Sequence, residues 1–309
     1  MEGWLLWLDR LRLSLQKRAG VGQDGKSREA WLAKGYVAEP EVTVVIESHN
    51  KSRQVAHVVR KLRRRPGTEI IVVDDGSTPR HTRALTALLT GANEWLVRAN
   101  DLYENLTYDR CLRMAAGRYV ALLQDDDDFD ALDWMDQAVG YFERYPRLCI
   151  LGGSDALRLA FEHDPAPISV GQRTLTFRGP RAYGQRIEPR RPFDFVPAVN
   201  RAPMWIRRDL FLERLRHIDA RFAPFQYDDY ELCSRAWLEG LQVGWYDAGF
   251  HSLAAGGMRL WNRLFTQQQV VANGPLLYEL YYAHREEIDR RVAEAKRGIM
   301  DHNSLTELK

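Results

Sequence analysis

Cysteine is scarce in this chain of 309 residues: Cys111, Cys149 and Cys233 are odd in number and far apart. That excludes a disulfide framework and a Cys-x-x-Cys metal site, and predicts reduced, mostly buried thiols. No run of 18 apolar residues occurs, so no segment is expected to span a bilayer as a helix. The apolar stretch Trp4 to Leu8 is cut by Asp9 and lacks a small-residue cleavage site, so export is not expected either. An excess of one charge is missing too, with 44 Lys and Arg against 42 Asp and Glu and a net charge of +2. Such a balance gives no whole-molecule field for gripping nucleic acid, and any basic surface must be a patch. What is present is globular composition, 45% hydrophobic and 28% charged, over a length that suits one large or two ordinary domains.

Residues 1–40 read as an amphipathic helix followed by a linker. Trp4, Trp7, Leu8, Leu11 and Leu15 recur at helical spacing with Arg10, Arg12, Lys17 and Arg18 between them, and Gly20, Gly22 and Gly25 then mark a joint. Indoles on an apolar face with a basic opposite face suit the headgroup zone of an anionic membrane, which would make the contact peripheral. The same face suits packing on protein, including a second copy of this chain. Both partners stay open.

From residue 41 to 152, short apolar runs alternate with helical segments. Val42–Ile46, Glu69–Val73, Glu94–Val97, Tyr119–Leu123 and Leu148–Leu151 are strand candidates, and Val55, Val58, Val59 and Leu62 form a helical stripe ended by Pro66-Gly67. Such alternation predicts an α/β fold, with a mainly parallel sheet and helices on both faces. Ligands then bind beyond the carboxyl ends of the strands. Residues 153–258 open with a stretch to about 200 that carries six prolines and many arginines and reads as loop-rich. A helix from about Tyr227 to Glu239 and a strand Leu241–Trp245 follow. Residues 259–309 form a helical extension, with a long helix beginning at Pro275.

Chemistry concentrates at the strand ends. Asp125-Asp126-Asp127-Asp128 directly follows an apolar strand, and four successive carboxylates in an ordered site need a cation to offset their repulsion. Oxygen donors suit Mg²⁺ or Mn²⁺, with a nucleoside diphosphate completing the shell. A solvated acidic turn is the competing reading. Asp74-Asp75-Gly76-Ser77 ends the second strand, where a carboxylate can accept a pyrimidine ring N–H, or simply build an Asp-Gly turn. Glu47-Ser48-His49-Asn50 ends the first strand at the same sheet edge. Further on, Asp229 shares a helical face with Leu232, Cys233, Ala236 and Trp237, and the positive helix end favours its ionised form. It is either a base reaching a cleft or an ordinary first-turn aspartate.

Taken in order, VTVVIESHNKS, EIIVVDDGSTP, GRYVALLQDDDDFD and YDDYELCSRAWLEGLQVGW resemble the inverting family 2 glycosyltransferases of the GT-A fold. The resemblance is close over about 42–152 and looser over about 203–252. It implies a hexosyl-type transfer from a nucleotide-sugar donor, a UDP-sugar favoured, to a hydroxyl of a glycan or lipid-linked glycan, with inversion. It further implies donor contacts from Glu47, Asn50, Asp74, Asp75, Asp125 and Asp126, metal ligation by Asp127 and His251, Mn²⁺ or Mg²⁺ as cofactor, and Asp229 as catalytic base. The metal register within Asp125–Asp128 stays open by one residue. Bacterial surface polysaccharide or glycolipid synthesis, on the cytoplasmic side of the inner membrane, is the implied setting. Two departures stand out: Tyr108-Asp109-Arg110-Cys111 replaces a usual Arg-Asn, and only Asn50 remains of a usual Pro-Thr-Tyr-Asn. Arginines at 178, 181, 186, 190 and 191 suit an anionic acceptor or a solvated loop. A non-catalytic scaffold of the same fold, or a membrane-associated assembly subunit, is the alternative. A nucleotidyltransferase is disfavoured, because IESHNKS contains no glycine for a phosphate loop.

Overall fold

The computed structural model describes residues 32–189, 191–253 and 263–306, together with Trp7 and Leu11. The chain divides into two units, Met1–Val37 and Ala38–Lys309. In the first, Trp7 and Leu11 are helical and exposed. The rest of the amphipathic segment lies outside the described residues. No helix among the described residues is long and apolar enough to cross a membrane.

The second unit is built on an eight-stranded sheet. Its parallel half comprises β1 (Val42–Ser48), β2 (Glu69–Asp75), β3 (Glu94–Ala99) and β4 (Tyr119–Gln124), with β1 between β2 and β4. Every residue of β2 is buried, so both faces are covered, as a strand apolar on both sides requires. The crossover helix α1 (Ser52–Leu62) buries Val55, Val58, Val59 and Leu62, the stripe read from its spacing. Each such side chain contributes about 1.5–3 kcal/mol relative to exposure. Helix α2 (Pro79–Leu88) begins with proline where no amide donor is needed, and α3 (Tyr103–Met114) and α4 (Asp133–Arg144) complete the layer.

Short β5 (Asp127–Phe129) follows β4, and β6 (Leu148–Gly152) continues the main sheet. Residues 153–200 are not loop-rich as the prolines suggested. They form β7 (Ala156–Glu162), β8 (Ile168–Val170), β9 (Arg173–Leu175), β10 (Arg181–Ile187), β11 (Phe193–Phe195) and β12 (Ala198–Val199). Antiparallel pairing of β7 with β10 and β12 makes a second, three-stranded sheet. The prolines sit between these strands or at their margins, where a missing amide costs no ladder bond. Strand β13 (Met204–Arg207) inserts antiparallel between β4 and β6, and β14 (Gln242–Tyr246) joins β6 in parallel. Helix α5 (Asp228–Leu238) lies between them in sequence, and β15 (Phe250–Ser252) pairs with β5.

The terminal helix also differs from expectation. Instead of starting at Pro275, α6 (Arg263–Tyr281) runs through it, and α7 (Arg285–Thr306) follows a short 3-10 turn. Docking outweighs the proline penalty: Asn273, Gly274, Leu277 and Tyr281 are buried along one face.

Candidate active site

The parallel register aligns three strand ends, because Ser48 pairs with Asp74 and Glu47 with Gln124. Neighbouring strands lie about 4.8 Å apart, so Glu47–Asn50, Asp74–Asp75 and the acidic turn after Gln124 form one edge. Hydrogen bonds knit it together. The His49 amide donates to Asp125 Oδ2 at 3.0 Å, and the His49 ring Nδ1 lies 2.6 Å from the Asp75 carbonyl oxygen.

Within the acidic turn the four carboxylates have different surroundings. Lys51 Nζ sits 3.0 Å from Asp125 Oδ1 and 3.8 Å from Asp126 Oδ2. Burial still lifts the Asp125 carboxyl above its ordinary range, against the pull of Lys51. Asp127 accepts the Gln124 amide at 2.6 Å. Burial, reinforced by Asp126, Asp125 and Glu104, pushes its carboxyl up to about 8. Asp128 faces the other way: burial opposes its charge, yet Lys61 Nζ at 2.7 Å and His57 Nε2 at 3.1 Å hold it below the usual carboxylate range. Pairing of β15 with β5 sets His251 opposite Asp128, with His251 Nε2 3.5 Å from Asp128 Oδ2. His251 therefore reaches the turn, and its ion-pair partner there is Asp128 rather than Asp127.

Beneath the turn lies an aromatic raft. Trp134 packs on Phe129 of β5 at 5.3 Å between ring centroids, on Phe250 of β15 at 4.9 Å and on Trp205 at 5.0 Å.

Several predicted donor residues also make bonds within the fold. Asp75 accepts the amides of Leu102 and Tyr103 at 2.9 and 2.8 Å, capping the start of α3. Asp74 is fully buried and takes the Thr82 hydroxyl at 2.6 Å. Asn50, at φ +61°, clips two strand ends, accepting the Thr78 amide and donating its own to Ser77 Oγ, both at 2.8 Å. Glu47 accepts the Thr107 hydroxyl at 2.9 Å, and burial beside Glu104 raises its carboxyl well above the ordinary range.

A hollow of about 370 Å³ lies at the end of β4, walled by Gln124, Glu104, Arg201, Tyr227, Asp228 and Asp229 among others. The residue immediately before the acidic turn and the head of α5 thus share one cavity. Asp229 is half-buried and accepts the Tyr230 amide at 2.9 Å. Asp228 is buried and bound by Arg201 Nη2 at 2.5 Å, and the same guanidinium reaches Glu104 at 3.0 Å and lies over the Tyr108 ring. Lys51, Glu104 and Arg201 escaped the sequence reading. Lys51 alone left a signal, as the cation following the first strand end. On the far wall, Gly184 of β10 lies against the Tyr230 hydroxyl, and a Cβ there would overlap it.

A turn of carboxylates and an undercompensated Asp127 fit a hard divalent cation, with the His251 ring nitrogen as a neighbouring donor. Among the described residues, however, no three His, Cys, Asp or Glu side chains are gathered as a ready ligand set.

A mainly parallel sheet with a polar cleft beyond its carboxyl strand ends, lined by Gln124 just before an acidic turn and by Asp229 at the head of α5, has the architecture of the GT-A class of α/β folds. The chain belongs to glycosyl transferase family 2, whose family model matches residues 43–239. No curated protein matches the chain. Among solved structures, it is similar to a mannosyltransferase from Pyrobaculum calidifontis in complex with GDP-Man and Mn²⁺, with 15% identity and a TM-score of 0.51, over 89% of this chain and 82% of that one. GalNAc-T7 with UDP, GalNAc and Mn²⁺ gives 15% identity and a TM-score of 0.50 over 68% of this chain and 43% of the other. S. aureus TarS 1-349 in complex with UDP-GlcNAc gives 14% and 0.48 over 70% and 59%. The chain thus spans less than two thirds of the latter two.

Proposed function

We propose that this chain transfers a glycosyl group from a nucleotide-sugar donor, a UDP-sugar favoured, to an acceptor hydroxyl in one inverting displacement, with a glycan or lipid-linked glycan as acceptor. Family membership supports the reaction class. The observation that carries the mechanism is the hollow of about 370 Å³ on which Gln124, leading into the acidic turn, and Asp229 both border. Asp229 accepts the acceptor hydroxyl's proton as that oxygen bonds to the anomeric carbon and the bond to the diphosphate breaks. Attack from the face opposite the leaving group inverts the centre.

The donor lies along the strand ends, with Glu47, Asp125 and Asp126 toward nucleotide and sugar. Asp74, Asp75 and Asn50 act behind them, shaping the edge by the bonds described above. Asp127, with His251 alongside, would hold a divalent cation, Mn²⁺ or Mg²⁺, which would compensate the charge of the departing diphosphate. The two relatives with a TM-score of at least 0.50 were both solved with Mn²⁺, which supports this assignment, while one carried GDP-Man and the other UDP.

Replacing Asp229 by Asn tests the reading. Transfer should fall by about 10²-fold or more, as loss of a general base does, with the affinity for UDP within twofold of the parent by calorimetry. Near-normal transfer in that variant removes Asp229 from the mechanism.

A further inference from the structure

The backbone entering α5 passes through two consecutive left-handed residues, Gln226 at φ +79° and Tyr227 at φ +70°. Neither is glycine, so neither favours this region on its own, and the pair persists only where its surroundings impose it. What imposes it comes from beyond the stretch that matches the family model, which ends at residue 239. Asn273 of α6 is 4% exposed. Its Nδ2 lies 3.2 Å from the carbonyl oxygen of Phe222, 3.1 Å from that of Phe225 and 3.0 Å from that of Gln226. An amide nitrogen carries only two hydrogens, so one of them is shared between two acceptors. Three carbonyls of one bend thus converge on a single side chain.

The bend is held from a second side by aromatic contacts. Phe225 stacks on Tyr103 at 5.6 Å and meets Phe265 of α6 edge-on at 5.4 Å, and those two rings also touch at 5.7 Å. Gly274, next to Asn273, lets α6 approach the Ala182 carbonyl closely enough for the amide to reach the bend. Directly after the bend come Asp228 and Asp229.

We propose that Asn273 is a positioning residue: by donating to the three carbonyls before Tyr227, it fixes the left-handed entry to α5 and so aims the Asp229 carboxylate into the hollow. Helix α6 is thereby part of the active site although it contributes no residue to the lining of the hollow. This rests on the proposed role of Asp229.

The sharpest variant is Asn273→Asp, which keeps shape and volume but turns both donors into acceptors facing three carbonyl oxygens. Turnover is read on the full chain as nucleoside diphosphate released from UDP-GlcNAc or GDP-Man with Mn²⁺, and nucleotide affinity by calorimetry with UDP or GDP. Tyr281→Phe is the control for lost stability, since it removes another bond between α6 and α5, from the Tyr281 hydroxyl to Glu231 Oε1 at 3.0 Å. Asn273→Asp should lower kcat at least tenfold with nucleotide Kd within twofold, while Tyr281→Phe keeps kcat within twofold. If Asn273→Asp does not fold, Asn273→Ser replaces it, retaining one donor, and should lower kcat at least threefold at unchanged Kd. The proposal is overturned if kcat stays within twofold in the Asn273 variant, or falls in Tyr281→Phe by the same factor. Failure of the underlying reading shows separately, as full transfer by Asp229→Asn.

Discussion

Asp127 and Asp128 are adjacent in sequence and yet titrate in opposite directions, one pushed up to about 8 and the other held below the usual range. Strand alternation explains this, because β5 turns one toward the acidic edge and the other toward Lys61. Glu47 is the clearest case of a carboxyl held against its ordinary behaviour, raised by burial beside Glu104 and Asp75. A carboxyl raised in the folded state keeps its proton where the unfolded chain has lost it, so stability is fully present at low pH and declines as pH climbs through the folded value. Glu47→Gln should flatten that decline and raise the melting temperature at pH 8 relative to the parent, with little change at pH 4.5. Thermal unfolding across that range checks it, and a parent profile as flat as the variant's would contradict it. At this scale the acidic residues were legible from their places after apolar strands. Lys51, Glu104 and Arg201 were not, because lone charges acquire meaning only once folding gives them partners.

The β-strands of the first half were readable as elements because each is a short apolar run closed by turn residues, and the parallel sheet then buries them on both faces. The second sheet was not, since β7 and β10 are half-exposed antiparallel strands, and β10 sets Arg181 and Tyr183 on the wall of the hollow where an apolar alternation would otherwise be expected. Nor was the true extent of α6, where tertiary docking of Asn273 and Leu277 overrides the local signal of Pro275. A mutation on β10 probes how closely the second sheet fits α5. Gly184→Ala should force the Tyr230 ring aside, costing about 1–3 kcal/mol of stability by overpacking and lowering transfer more than it lowers nucleotide affinity. Denaturant unfolding with steady-state kinetics measures both, and unchanged values would show that the ring moves freely.

Across the whole molecule, Arg201 joins what the strand ends and α5 separately provide. Its side chain is 6% exposed and binds Glu104 of α3 on one side and Asp228 of α5 on the other. Removing it by Arg201→Met leaves two carboxylates without their cation in a water-poor setting, a loss of about 3–5 kcal/mol. Urea denaturation should show that loss, and adding Glu104→Gln and Asp228→Asn to the variant should recover part of it. No recovery would mean that packing over Tyr108, rather than charge, is what Arg201 contributes.

The aromatic raft has a practical consequence. Trp134 touches both strands of the two-stranded sheet that carries Asp127 and His251, with Trp205 behind it, so a shift of either strand changes the surroundings of an indole. The difference in emission between the parent and Trp134→Phe, taken against the other eight tryptophans, therefore follows occupancy of the acidic corner with no dye attached.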